Sequence, residues 1–445
     1  MLGKQAIVIG AGIGGLAAAG ALADHFERVI VLERDRLPAG PAHRAGVPQG
    51  RHVHVLLAGG QRALESLFPG FTAALAQAGA VPMRMALDIR SELEGYDPFP
   101  QRDFGWDNYS MSRPLAEHVV RNELAKRANV ELRDHCRVDA IVTAAGKPIV
   151  NGVRAAGGDG DGAVAAELVV DASGSGALTL ALLYATGNAP PPETRIGVDL
   201  GYATALFAIP DHAPADWKGV FTFPSPPSVR RGALMLPIEG DRWILSLGGA
   251  HGDNPPADFD GFLAFAAALR TPTISRAIAG AEPLADVARY LFTDSARRHF
   301  DRLPSFPRGL IVLGDAVCRF NPIYGQGMSV AAQQACILRR LLAARADAPD
   351  PLETLPQAFF AAIRDVIDTP WETAAVQDFA YPQTRGERPA GIEQTLKLAV
   401  ALNRAAARDA GVHKLAVEVR QLLKPRSAYA DPSFMAHIYA AMHET

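Results

Sequence analysis

Cysteine is scarce: Cys136, Cys318 and Cys336 are scattered through 445 residues, too few and too far apart for a disulfide framework or a thiolate metal cluster. A reducing, cytoplasmic setting is the expectation. An excess of either charge is also missing. The chain sets 44 Lys and Arg against 47 Asp and Glu, a formal net charge of -3, which gives no long-range pull toward nucleic acid or an anionic membrane. Long apolar runs are absent as well, since "AALAQAGAVPM" and "LTLALLYATG" are each broken by glycine, proline or polar residues. The start, "MLGKQAIVIG", enters a strand pattern without the basic head and cleavage site of a signal peptide. These absences exclude nucleic-acid binding and integral membrane association. What remains is 49% hydrophobic and 20% charged residues, the composition of a globular enzyme too long for one comfortable core.

The segment "QAIVIGAGIGGLAAAGALADHFERVIVLERD" reads as strand, glycine turn, Ala-rich helix and a second strand ending in an acid. Gly10, Gly12 and Gly15, with Gly14 among them, supply a tight turn, room for backbone to approach a pyrophosphate, and close packing of helix on strand. Glu33 stands where a carboxylate accepts hydrogen bonds from ribose hydroxyls, and Arg34 follows it. Short strands are expected between Asn129 and Ala172, with "GGDGDG" as a mobile hairpin loop without function. Four more, "IGVDLGYATALFAI", "GVFTFPS", "RGALMLPI" and "DRWILSLGG", predict an antiparallel sheet. One face of it, carrying Tyr202, Phe221, Phe223, Met235 and Trp243, is a candidate wall for an apolar ligand. In "QGRHVHVLL", His52 and His54 alternate as on a strand, but no carboxylate or thiolate at ligand spacing accompanies them, so no metal site is expected.

The late stretch "GDAVCRFNPIYGQGMSVAAQQA" places Gly325, Gln326 and Gly327 before an Ala-rich helix starting near Met328. Bare backbone at a helix start suits an anion or an electron-rich ring. From there the chain turns mostly helical, with "GIEQTLKLAVALNRAAARDAG" as its clearest amphipathic helix, read as a cap or buttress.

The nucleotide turn, the central "VVDASG" and the late "GLIVLGDAVCRFNPIYGQGMSVA", in that order, resemble the FAD-dependent monooxygenases of the aromatic-hydroxylase fold. Within these, "GVPQGRHVHVLLAGG", "SMSRPLAEHVVRNEL" and "IGVDLGYATALF" are most similar to bacterial olefin-epoxidase and 2-polyprenyl-6-methoxyphenol hydroxylase-like enzymes. The resemblance implies an α/β (α+β) fold: a Rossmann-type FAD-binding domain, an antiparallel-sheet substrate domain and a helical C-terminal region. The expected division is 1–190, with substrate-domain segments inserted near 80–110, then 191–292, 293–345 and 346–445.

The same resemblance implies that Asp315 meets the ribityl chain of FAD, that Arg113 meets its phosphate or ribityl region, and that Gly325 to Met328 lie along the flavin ring. Pro322 and Tyr324 would border the substrate, and Arg51 or His52 could place a positive or donor group beside the ring. The implied reaction is flavin-centred, transferring one oxygen atom of O2 through a C4a-hydroperoxide to an apolar olefin or aromatic, with no protein nucleophile. The family's phosphate-contacting Arg is missing after Asp171, where Ser175, Gly176 and Ala177 stand. No second GxGxxG occurs, so NADPH or NADH would serve as donor by transient docking or through a flavin reductase. Flavin halogenases carry an early essential lysine, and no Lys lies between Lys4 and Lys126. The alternatives are a reductase of the prenyl-reductase type and a non-catalytic flavin-binding redox protein.

Overall fold

The structure is a computed structural model that describes residues 1–445 apart from 146, 158–161 and 444–445. The centre of "GGDGDG" therefore lies outside the described residues. A five-stranded parallel sheet forms the first layer, in the order Leu310–Val312, Leu168–Asp171, Gly3–Ile9, Phe26–Leu32 and Val130–Arg133. Its strands are continuous apolar runs because both faces are covered: Ala6, Ile7, Val8, Leu168 and Val170 are fully buried. Ile9 pairs with Asp171 and Asp171 with Val312, so the carboxyl ends of three strands from distant parts of the chain finish side by side. That edge is where open α/β sheets bind ligands.

The second layer is a seven-stranded sheet in the order Cys318–Arg319, Ala288–Arg298, Glu193–Ala208, Arg242–Ala250, Arg231–Ile238, Gly219–Thr222 and Ile89–Glu92. All neighbours are antiparallel except Ile89–Glu92, which joins Gly219–Thr222 in parallel from the first third of the chain. Glu92 is fully buried there and accepts hydrogen bonds from Thr222 at 2.7 Å and from the hydroxyls of Thr271 and Thr273.

The strand period of two splits the seven-stranded sheet into two faces. Phe207, Met235, Trp243, Leu245 and Leu247 face a closed core capped by the helix Phe259–Ala267, whereas Leu206, Leu234, Leu236 and Ile244 face the other way. Met235 and Trp243, expected on the pocket wall, thus lie on the opposite face, with Trp243 stacked on Trp217. Phe221 and Phe223, two apart on one face, stack on each other and do reach the cavity.

The expected strand at His52 and His54 is replaced by a short turn, Pro48–Arg51, and an extended segment leading into the helix Ala58–Leu67. That helix packs on the helix Gly327–Ala343 at a distance only glycine permits. A Cβ on Gly60 would lie 2.6 Å from Ser329 Cα, and one on Gly59 would overlap the Leu422 carbonyl. Helices Ile392–Arg408, Ala410–Arg420 and Pro432–His443 form a small apolar cluster with Phe99. They are tied back to the first half through Gln421, whose Oε1 accepts from Ala58 N at 3.0 Å and Asn108 Nδ2 at 3.1 Å. Among the described residues no helix is long and apolar enough to cross a membrane.

Gly60→Ala tests the contact between helices Ala58–Leu67 and Gly327–Ala343. Overpacking should cost about 1–3 kcal/mol in denaturant unfolding. Unchanged stability would mean the two helices are not pressed together.

Candidate active site

The first glycine turn is built from contacts between backbones. Gly10 has φ +97, and a Cβ there would lie 2.8 Å from the Ala172 carbonyl oxygen. A Cβ on Gly15 would overlap the Gly10 carbonyl oxygen, and one on Gly14 would lie 3.1 Å from Leu313 Cδ2. The helix Ile13–Ala23 that follows has no side-chain cap, which leaves its first amides free for an anion.

Beside this turn, Glu33 is buried, and its Oε2 accepts from Ala11 N at 2.7 Å while its Oε1 accepts from Asp35 N at 3.0 Å. A residue unnoticed in the sequence, Arg44, organises the surroundings. Its guanidinium lies 2.8 Å from Glu117, 2.9 Å from Asp35 and 3.3 Å from Glu33. Burial works against the charge of Arg44, but the bonds and charges of Glu117, Glu33 and Asp35 outweigh it and raise its pKa. The stretch "PAHRAG" has no periodicity or motif to signal this, because all three acids come from elsewhere in the fold.

Arg113 is a first-turn residue of the helix Arg113–Ala125, whose cap Ser112 accepts from Leu115 N at 3.2 Å. Its Nε has no hydrogen-bond partner and lies 3.9 Å from Glu117, and its terminal nitrogen lies 3.8 Å from where a Gly12 Cβ would be. Burial lowers its pKa, with Glu117 and Asp315 favouring the charge and Arg44 opposing it. Asp315 stands on the cavity wall after Gly314, which has φ +70 and donates from its amide to Gln334 Oε1 at 2.8 Å. Surrounding protein pushes the pKa of Asp315 up, against the pull of Arg113 and Arg319. A guanidinium group over a glycine turn, its Nε without a hydrogen bond and free helix amides alongside, fits the diphosphate of a dinucleotide.

Asp171 does not face outward. Its oxygens are used by Ser173 N at 3.1 Å and the Thr179 hydroxyl at 2.6 Å, while Ala172, Ser173 and Gly174 line the cavity. The late turn is shaped by Asn321, whose side chain accepts from Ile323 N at 3.2 Å, and by Gly325 at φ +66. The helix Gly327–Ala343 then begins without a side-chain cap, and the buried Gln326 Oε1 has no partner.

One cavity of about 840 Å³ joins these parts. Gly10, Gly12, Gly14, Glu33 and Arg34 line one end, Arg113, Asp315 and Gly325 to Met328 the middle, and Tyr202, Phe221, Phe223, Pro322 and Tyr324 the apolar end. Gly15 serves packing and does not line it. Val417, Val419 and Leu422 form a further wall, so the C-terminal region borders the cavity directly.

Arg51 and His52 do not line the cavity. Arg51 is exposed, and His52 is buried with its Nδ1 2.8 Å from Thr204 Oγ1 and its ring edge-on to Tyr202. His54 lines the cavity in their place, its Nδ1 3.0 Å from the His52 carbonyl. Burial pushes the pKa of His52 down to about 4 and that of His54 down to about 3, so both rings are neutral at physiological pH.

Replacing Arg44 by Met should cost about 3–5 kcal/mol at neutral pH, because three acids lose the cation that pairs them. Chemical denaturation of Arg44→Met and wild type at neutral pH checks this. A gap below about 1 kcal/mol, the size of an exposed ion pair, would contradict it.

The comparisons with known proteins agree with this geometry. The profile of the FAD dependent oxidoreductase family matches residues 5–187, and that of squalene epoxidase matches residues 293–362. Protein Rv3254 of Mycobacterium tuberculosis (strain ATCC 25618 / H37Rv) is 34% identical over 406 residues, which span 87% of this chain and 84% of that one. Among solved structures, the flavin-dependent brominase Bmp2 is similar with a TM-score of 0.68 at 14% identity, covering 99% of this chain and 98% of its own. PqsL of Pseudomonas aeruginosa, described as a probable FAD-dependent monooxygenase, has a TM-score of 0.60 at 19% identity and covers 88% of this chain and 100% of its own. At such identities the solved structures establish the fold, while the family profile and the sequence relative establish the lineage. The chain belongs to the FAD-dependent oxidoreductases, in one family with Rv3254.

Proposed function

We propose that this protein is a monooxygenase that places one oxygen atom from O2 into an apolar olefinic or aromatic small molecule. The observation that carries the reading is the single cavity running from the dinucleotide turn, past the bare late loop, to the apolar face of the antiparallel sheet. When bound, FAD supplies the oxygen-transfer chemistry. The protein's own residues bind, orient and exclude water. Gly10 to Gly15 and the amides of the helix Ile13–Ala23 would hold the diphosphate, with Arg113 pairing its charge. Glu33 would take the ribose hydroxyls, with Arg34 next to it, and Asp315 the ribityl chain. Gly325, Gln326, Gly327 and Met328 would border the ring, where the positive end of the helix Gly327–Ala343 favours negative charge.

Phe221, Phe223, Leu234 and Leu236 form an apolar wall on which an olefin or aromatic ring would rest, next to Pro322 and Tyr324. His54, neutral and on the cavity wall, uses its one N–H on the His52 carbonyl, so its Nε2 would offer an acceptor beside the ring, in place of the donor expected from Arg51 or His52. Electrons would come from NADPH or NADH, docked directly or delivered by a flavin reductase.

Two experiments test this reading. Arg113→Met should weaken FAD retention tenfold or more, the equivalent of about 1.4 kcal/mol or more of charge-assisted hydrogen bonding, measured by fluorescence titration. Photoreduced, FAD-loaded wild-type protein given isotopically labelled O2 with an apolar olefin or phenol should yield product carrying one labelled oxygen atom. Quantitative peroxide release with every such compound and no labelled product would overturn the reading.

A further inference from the structure

Asp378 is the last residue of the helix Arg364–Asp378, buried at 4% exposure against the loop that carries the late glycines. Its two oxygens are used differently. Oδ1 accepts from Asn321 Nδ2 at 2.9 Å and from the Tyr324 hydroxyl at 2.8 Å, and so fixes the loop. Oδ2 has no partner, although the residue lines the cavity together with Gln377, Pro322 and Tyr324. A buried polar atom left unsatisfied costs on the order of 1–3 kcal/mol, so an oxygen kept in that condition beside a ligand cavity calls for a partner from the ligand.

We propose that Asp378 Oδ2 is the recognition atom for the substrate, accepting one hydrogen bond from a hydroxyl on an otherwise apolar molecule. The substrate class is then a phenol or an alcohol, chosen over a plain hydrocarbon or an ether. This rests on reading the cleft as the site of both flavin and substrate.

The geometry also makes the recognition depend on pH. Because Oδ1 already receives two donors, a proton taken up by the carboxyl sits on the unpartnered Oδ2. Burial raises the pKa of Asp378 to about 7, opposed by the bonds from Tyr324 and Asn321. Its position at the negative end of a helix works in the same direction as burial. Above that pH Oδ2 accepts from a hydroxyl, and below it Oδ2 donates and suits an ether or carbonyl instead.

The neighbouring phenols keep their protons across this range. Tyr324, on the loop, is pushed well above its usual pKa by burial, and Tyr381, in the turn after the helix, up to about 12. His251, which meets Tyr381 edge-on, is pushed below its usual value by burial. Arg230 donates to the His251 carbonyl at 3.3 Å, and Arg388 donates to the Phe379 and Tyr381 carbonyls.

The test is calorimetric binding of para-hexylphenol and its methyl ether to the FAD-loaded protein. The ratio of phenol to ether affinity should rise about tenfold between about pH 6 and about pH 8.5, the size of one hydrogen bond to a charged acceptor. In Asp378→Asn, which keeps an oxygen for the loop and puts an NH2 in place of Oδ2, the ratio should not change with pH. The infrared band of a protonated buried carboxyl, titrating near neutrality in wild type, should be missing from the variant.

A ratio flat with pH in wild type overturns the proposal without recourse to any variant. A rise of the same size in Asp378→Asn, or binding of neither compound, overturns it too. Labelled-oxygen transfer is scored separately. A pH-dependent phenol preference without oxygenated product leaves Asp378 as the recognition residue and overturns the monooxygenase reading instead.

Discussion

Two backbones pressed together at Gly10 and Gly15 set the position of everything else in the cavity. The turn folds back so tightly that the helix after it has no room for a side chain against the Gly10 carbonyl, and Gly10 itself abuts the Ala172 carbonyl of the neighbouring strand. That contact fixes the helix Ile13–Ala23 relative to the carboxyl ends of three parallel strands, and with it the direction in which its free amides point. A second close approach, of Gly59 and Gly60 to Leu422 and Ser329, does the same for the helix Gly327–Ala343. Two helix starts are thereby held in register with one another by contacts that tolerate almost no added volume.

Charged and apolar groups share the lining of the cavity. At the nucleotide end Arg44 gathers Glu33, Asp35 and Glu117 into a buried ionic cluster. Arg113 and Asp315 lie in each other's field, and Arg113 Nε is left without a hydrogen-bond partner. Phe221, Phe223, Leu234 and Leu236 bring apolar surface to the cavity, and polar residues, Arg230, His251, Gln377 and Asp378 among them, share its lining. Away from bulk water each polar contact carries more energy than it would in water.

Much of the cofactor half was legible in the sequence because its signals are local. The glycine spacing, the acid closing the second strand, and the glycines ahead of an Ala-rich helix are each read within about thirty residues. Arg44 and Asp378 were not legible: Glu117, Asn321 and Tyr324 lie 73, 57 and 54 residues from the side chains they meet, and although Asp35 is only 9 residues from Arg44, no motif marks the pair. The strands carrying Met235 and Trp243 were identified correctly, but a period of two cannot say which face turns toward the ligand, and the helix Phe259–Ala267 claims theirs. His52 and His54 gave a strand-like alternation in a segment whose extended backbone pairs with no neighbouring strand. Its ordering comes from side chains, through Thr204 and Tyr202, which no pattern in the segment reveals.

The edge strand Ile89–Glu92 gives the fold a further property. It reaches the antiparallel sheet from the first third of the chain and is fastened there by Glu92 to threonines at 222, 271 and 273. The apolar wall is therefore sewn together from stretches that contribute nothing to the nucleotide turn, and the nucleotide turn contains none of the wall. Side chains on the wall can therefore be exchanged segment by segment without touching the backbone contacts that hold the nucleotide turn, and only the late loop from Pro322 to Met328 borders both.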